Sequence, residues 1–340
     1  MTTLPIVNEI LLYGLREDNP RDFLATLGLL RLMNLISDGR EVRLRWSSDG
    51  HPSLCSSDGI IDNWNARLTD FLRNIILRDD LVKIDKSPHM DWIAEEFSAP
   101  SQRFIRDGTI INSLVFGVVP SVSVENIGKA ILNGLSVEDA TERNLVVSLL
   151  VALLSQVHVN IPKDKKPRGN ISAFSFANKQ GQKYLLYGLQ QGVMNSLDFV
   201  NLTLPELPKT NCQTFRWSPD EYRPSAYLAG GGTYRDNQEA NIAAFMGLSF
   251  YPVVDRRRAE ETLGFSNQEV SAKYFECFTW PIWEASLTMD SISSLILLPQ
   301  LHASGVDQIH MRARGCLRVW RSRRFSADKS LYFSPAEQLL

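Results

Sequence analysis

The chain is expected to fold as a mixed α+β protein, with antiparallel-rich sheets and packed helices in one large or two loosely divided domains. The N-terminal stretch leads there first: residues 6–15 read as a strand, followed by a polar turn, a capped helix and a second strand. Residues 137–157 then supply a strongly apolar helical run fit for a core. The second half sets strand-like runs at 172–176, 183–189, 211–217 and 274–280 between shorter helices. At 340 residues, 44% apolar and 22% charged, the chain can bury one large core or two smaller ones. The division is placed at the basic loop KDKKPRG, residues 163–169. It separates an N-terminal α/β region with apolar core helices (1–162) from a C-terminal α+β region (163–340).

Element by element, the local signals are chemical. Asn19 stands where a helix needs an N-cap, Pro20 suits the first turn, and Asp22 places negative charge near the helix start. Phe23, Leu24, Leu27, Leu30 and Leu35 form a wide apolar face, and Asp38-Gly39 ends the helix. Residues 41–46 alternate as a strand and 47–50 turn. DNWNARLTDFLRNIIL (62–77) is amphipathic through Trp64, Leu68, Phe71, Leu72 and Ile75. Residues 79–92 are polar and irregular around Pro88-His89, and 123–133 reads as a helix. Residues 237–248 form a helix in which Ala240, Ala243 and Ala244 allow close packing. Residues 288–298 form another, with Asp290 near its start and Pro299 past its end. At the C-terminus Ser334, Pro335 and Glu337 have the spacing of a capped first turn, so 334–340 is expected to be a short helix.

Composition removes several function classes. A formal net charge of −2 excludes a generally basic nucleic-acid coat, so any polyanion site must be local. Cys55, Cys212, Cys277 and Cys316 lie far apart without a C-x-x-C pair, which fits reduced thiols in a cytoplasmic protein. His51, His89, His158, His302 and His310 are isolated and match no metal-binding spacing, so no cofactor is expected. No nucleotide-binding or nucleophile-elbow motif occurs. MTTLPIVNEI lacks the make-up of a secretory signal, and the longest apolar run, 145–154, is about half of the roughly 20 residues a membrane span needs. No membrane partner is expected.

Against this background the segment MRARGCLRVWRSRRF (311–325) stands out. It gathers Arg312, Arg314, Arg318, Arg321, Arg323 and Arg324 around Trp320. Read as a strand, it puts Arg314, Arg318, Trp320 and Arg324 on one face, with Leu317, Val319 and Phe325 on the other. Read as a helix, it aligns Arg314, Arg318 and Arg321. Both readings set guanidinium groups beside an indole, a combination suited to phosphates and stacked bases. The competing reading is an Arg-rich face paired with the protein's own carboxylates or with a partner subunit. FRWSPDEYRPSAY (215–227) interleaves Arg216 and Arg223 with Trp217, Tyr222 and Tyr227 and forms a second candidate surface, against a packed loop in which Arg223 pairs with Asp220 or Glu221. Gly230–232 reads as a flexible loop, and Arg256-Arg257-Arg258, diluted by Glu260 and Glu261, as a solvated turn.

Taken together, NPRDFLATLGLLRL (19–32), RWSPDEYRPSAY (216–227), FTWPIW (278–283), the Arg-rich stretch and YFSPAE (332–337) resemble a family. They are similar, in the same order, to motifs of CRISPR-associated subunits of type I-U/I-G effectors, the Dpsyc group. The resemblance implies a large-subunit-like, non-catalytic component of an RNA-guided surveillance complex. Its partners would be the other effector subunits, guide RNA, target DNA and a helicase-nuclease. In such complexes guide pairing supplies sequence specificity while protein arginines read backbone geometry and a target-adjacent motif. The residues themselves also allow a metal-dependent nuclease whose carboxylates converge only in space, or a purely structural adaptor.

Overall fold

The computed structural model describes residues 7–76, 82–83, 103–106, 109–112, 135, 138–160, 168–174, 197–212, 215–222, 235–256, 259–270, 273–303, 305–327 and 330–340. The fold is mixed α+β with antiparallel sheets, as expected. It divides into two compact units, each built from segments distant in sequence. The first comprises Met1–Phe71, Ser196–Gly247 and Gly264–Leu340; the second comprises Leu72–Asn195 and Leu248–Leu263. The expected division at 162/163 falls among residues outside those described.

In the first unit, β1 (Val7–Leu11) leads into α1 (Pro20–Ile36), β2 (Arg43–Trp46), β3 (Pro52–Ile60) and the part of α2 (Trp64–Ile76) up to Phe71. The two-residue strands β4 (Thr210–Asn211) and β5 (Arg235–Asp236) pair just ahead of α3 (Gln238–Gly247). Beyond them come β6 (Phe265–Val270), β7 (Lys273–Trp283), α4 (Met289–Ile296), α5 (Gln308–Ala313), β8 (Cys316–Ala327), β9 (Ser330–Phe333) and β10 (Glu337–Gln338). A small sheet runs β1-β3-β2, and the main antiparallel sheet runs β6-β7-β8-β9 with β10 also on β8.

Helix α1 begins as its sequence dictates. The Asn19 side chain accepts from the Arg21 N–H at 3.0 Å, and the helix closes at Asp38 and Gly39, both with positive φ. Both α1 and α3 are apolar almost all round, and both are buried almost throughout. They pack backbone to backbone: a Cβ on Gly28 would lie 1.8 Å from the Ala243 carbonyl oxygen, and one on Gly247 would lie 2.0 Å from that of Leu24. Glycine is the residue that permits this approach.

Phe23 anchors α1 to both sheets. Its ring lies 6.2 Å from Trp46, 6.0 Å from Trp280, 6.4 Å from Trp283 and 6.5 Å from Phe278, all fully buried. A bridge between Leu44 and Leu287, with both hydrogen bonds at 2.9 Å, ties the small sheet to the segment after β7.

The second unit contains the hairpin Arg103–Arg106/Thr109–Asn112, edged by Val82–Lys83, and the helix Ala140–Leu153. Two further strand pairs are Leu154–Asn160 with Arg168–Ile171, and Val253–Arg256 with Ala259–Thr262. The Ala173 N–H donates to Thr262 Oγ1 at 2.7 Å, and Phe174 packs on Tyr251 with ring centroids 5.5 Å apart.

Several expectations are corrected. The C-terminal segment is not a helix: Glu337 and Gln338 pair with Arg321 and Trp320, and the Leu339 N–H donates to the Val319 carbonyl at 2.8 Å. The reason is the free edge of β8, whose backbone groups are taken first by β9 and then by β10. The helix expected to reach Val157 stops at Leu153, where alternating, β-branched LSQVHVN becomes a strand. Residues 172–174 turn instead of extending, since the strand lies earlier, at Arg168–Ile171, and overlaps the last two residues of the segment expected to be a loop. Of the strand expected over 211–217, Asn211 is extended in Thr210–Asn211, the described residues 212 and 215–217 are not in a strand, and Arg216 takes a left-handed φ of +62°. Strand β3 was not signalled by sequence. The helix expected at 123–133 and the strand at 183–189 lie outside the described residues.

Candidate nucleic-acid interface

The Arg-rich segment is a short helix, a glycine turn and a long strand. Asp307 caps α5, accepting from the His310 N–H at 3.0 Å, and Gly315 with φ +81° lets the chain leave it. From Cys316 onward the segment is β8, as the strand reading requires. Its central position between β7 and β9/β10 decides the fate of most of its arginines.

Arg318 points back to the start of α1. Its Nε lies 2.8 Å from Glu17 Oε1, and its two terminal nitrogens donate to the Ser48 carbonyl at 3.2 and 3.3 Å. Burial holds the Glu17 carboxyl above its ordinary value of 4.5, and the Arg318 charge opposes that rise. Arg321 is only 8% exposed; its Nε donates to Thr279 Oγ1 at 3.0 Å and its Nη2 to the Ala303 carbonyl at 2.9 Å. Arg324 pairs with Glu276 at 2.9 Å. Burial lowers the Arg324 pKa and raises that of Glu276, each partly offset by the partner's charge. Arg323 lies over the Phe275 ring, 5.8 Å from its centroid. Trp320 is half-buried opposite Trp280. Its shielded Nε1 helps to hold the Glu17 carboxylate without meeting full hydrogen-bond geometry.

Arg312 and Arg314 differ. Both are exposed at the end of α5, and neither forms an ion pair among the described residues. Arg314 Nε donates to His310 Nε2 at 3.1 Å. The Arg-rich stretch therefore separates into a strand part engaged with the protein's own groups and a helix-end part facing solvent. Arg216 lies half-buried above Tyr332, 5.4 Å from the ring centroid, while Arg223 falls outside the described residues.

Segments that carry the family resemblance lie around the start of α1, where residues 16 and 17, just ahead of the 19–32 motif, make several of the bonds. Asn19 Nδ2 donates to Ser218 Oγ at 3.0 Å, and Arg16 reaches Asp220 at 3.3 Å. The Trp280 indole donates to the Glu17 carbonyl at 2.8 Å, Arg318 pairs with the Glu17 side chain, and Arg216 rests on Tyr332. Sequence reading missed the buried node beneath. Arg21 bonds Asp22 at 2.6 Å and also bonds Asp236, whose second oxygen accepts from Asn241 at 3.0 Å. Asp22, expected to serve the helix dipole, is thus part of an ion-pair network, and burial raises its pKa against the pull of Arg21. The only hint in the sequence was the repeated Arg-Asp ahead of or opening a helix, at 21–22 and 235–236.

Among the described residues no cluster of His, Cys, Asp and Glu has the geometry of a metal site, and no helix is long and apolar enough to cross a membrane. His302 donates from Nε2 to the Ile296 carbonyl at 2.7 Å. Comparison with protein-family models and with curated proteins gave no match.

Proposed function

We propose that the chain is a non-catalytic nucleic-acid-binding subunit of an RNA-guided class 1 (type I) CRISPR surveillance complex. It contacts the backbone of target DNA or guide RNA. The observation that carries this reading is the convergence of the resembling motifs. Within one unit Asn19 bonds Ser218, Phe23 packs on Trp280 and Trp283, and Arg216 lies over Tyr332, while Arg16 and Glu17, just ahead of the 19–32 motif, bond Asp220, Trp280 and Arg318. Within the Arg-rich stretch the contact falls to Arg312 and Arg314, whose charges are exposed and unpaired among the described residues. Arg318, Arg321 and Arg324 act by holding the sheet and the α1 entry in place. Neutralising phosphates with the exposed pair would release counterions and give a salt-dependent affinity.

The test is affinity purification of the tagged chain from its native host, with identification of bound proteins and sequencing of bound RNA. CRISPR-associated proteins together with a uniform repeat-derived RNA are the expected recovery. Recovery of the chain alone would sink the proposal. Divalent-metal-dependent cleavage by the purified chain would favour the nuclease reading instead.

A purely structural adaptor is the second reading, and the internal pairing of Arg318, Arg321 and Arg324 is the observation that favours it. It expects partner binding that survives complete nuclease treatment, with no gel shift.

A further inference from the structure

Arg216 stands in a backbone conformation its side chain does not favour. Its φ of +62° is left-handed, where the Cβ of an L-residue crowds the following carbonyl. Asp38 shares the sign of φ but closes α1 beside Gly39, a usual place for it. Arg216 lies instead between neighbours fixed on both sides. The Phe215 ring packs 4.8 Å from Trp217 and 6.1 Å from Phe245, and Ser218 is bonded to Asn19 at 3.0 Å. Such over-determination is what allows a strained residue to persist, and strained residues gather at ligand contacts.

The described residues supply no ion-pair partner for an arginine here, and the shielded Nη1 of Arg216 has no hydrogen-bond partner among them. Asp220, in the turn that follows, is already taken by Arg16 at 3.3 Å. What fixes the guanidinium is the Tyr332 ring beneath it, at 5.4 Å. Glycine would hold the same turn without the Cβ conflict. The guanidinium is only half-buried, so a charged oxygen from outside would meet its solvent-facing edge and not the shielded Nη1.

We infer that Arg216 is a preorganised contact for a phosphate oxygen of a nucleic-acid strand, with Tyr332 fixing the guanidinium plane. This rests on the reading of the chain as a nucleic-acid-binding subunit. It adds a second contact, on a separate element from Arg312 and Arg314.

The experiment compares the full chain with Arg216→Gly, Arg216→Lys and the double variant Arg312→Ala/Arg314→Ala. Binding of a labelled single-stranded oligonucleotide and a labelled duplex is followed by fluorescence anisotropy at low salt, with a melting temperature for each protein. Arg216→Gly is expected to keep or exceed the wild-type Tm while affinity falls about 5- to 20-fold, and Arg216→Lys to recover only part of it. If Arg216→Gly binds like wild type while the double variant is impaired, this inference is overturned and the functional reading stands. A fall in Tm with Arg216→Gly would mark the residue as structural and also overturn it. Absence of binding by the wild-type chain to either probe would overturn both.

Discussion

Replacing Arg321 by Ala should damage the fold before it touches any ligand. The guanidinium is buried and donates to Thr279 Oγ1 and to the Ala303 carbonyl, at 3.0 and 2.9 Å. Truncation leaves both acceptors without that donor and opens a gap between β7 and the chain near residue 303. Hydrogen bonds from a charged donor contribute about 1.5–3 kcal/mol each, and release of a buried charge returns part of that. The net loss is about 2–4 kcal/mol, a Tm decrease of ~5–15 °C for a body of this size. Arg321→Met, which refills the volume without the charge, should recover part of the loss. Arg312→Ala, at an exposed position, should change stability by no more than about 0.5 kcal/mol. In nucleic-acid binding the order reverses. Arg312→Ala should lower the slope of log affinity against log salt by about 0.7–0.9, whereas Arg321→Met should leave it unchanged. Calorimetry and salt-titrated anisotropy on the same preparations decide the matter. An Arg321→Ala protein with wild-type Tm and a flattened salt slope would refute the division drawn within the Arg-rich stretch.

Other perturbations probe the frame around it. Gly28→Ala should destabilise by about 3 kcal/mol or more, because its Cβ would meet the Ala243 carbonyl at 1.8 Å and force α1 from α3; an unchanged denaturation midpoint would refute that packing. Asn19→Ala removes both the α1 cap and the bond to Ser218, an expected loss of about 1–2 kcal/mol by chemical denaturation, with Asn19→Ser recovering the cap but not the bond. Glu17 gives a pH test. Its folded pKa lies above the ordinary 4.5, so its contribution to stability is full below pH 4.5 and is lost as pH rises through the folded value. The Tm of Glu17→Gln relative to wild type should therefore climb as pH rises from 4.5 towards neutrality, and a difference that stays flat would show that burial does not govern this carboxyl.

Local chemistry was legible in the sequence where the determinant lies within a turn or two of the residue it determines. Asn19, Pro20 and the Asp38-Gly39 stop place α1, and Asp290 with Pro299 brackets α4, because each signal acts on its own helix. Strand β3 was invisible because PSLCSSDGI has little β character of its own. It is extended because β1 takes one edge and β2 the other. The C-terminal segment shows the opposite error. Ser334, Pro335 and Glu337 satisfy a helix-start pattern, yet the open edge of β8 recruits the same residues, and Ser334 Oγ accepts from the Arg323 N–H at 3.0 Å. Propensity yields wherever a sheet edge would otherwise stay unpaired.

The same distinction governs the candidate site. A run of arginines advertises positive charge, but whether that charge is available depends on carboxylates and carbonyls brought in by the fold. Arg318 is separated from Glu17 by 301 positions, and Arg21 from Asp236 by 215. No window of sequence contains such pairs. What a strand does carry locally is its neighbours' demand for space. A central strand between two others ties its arginines to groups of the fold, burying Arg321 and half-burying Arg318, Arg323 and Arg324, while a helix end followed by glycine leaves them in solvent. Gly315 is therefore the informative residue of the stretch, since it marks where exposed charge stops and structural charge begins. A loss of binding on substituting Arg318 must accordingly be read alongside its stability. The residue joins Glu17, ahead of α1, to the Ser48 turn, and its removal displaces the segment from which Arg16 reaches Asp220 and Asn19 reaches Ser218. An effect there on nucleic acid would travel through the α1 entry to the turn holding Arg216. It would fall equally on all probe sequences and leave the salt slope of Arg312 and Arg314 intact.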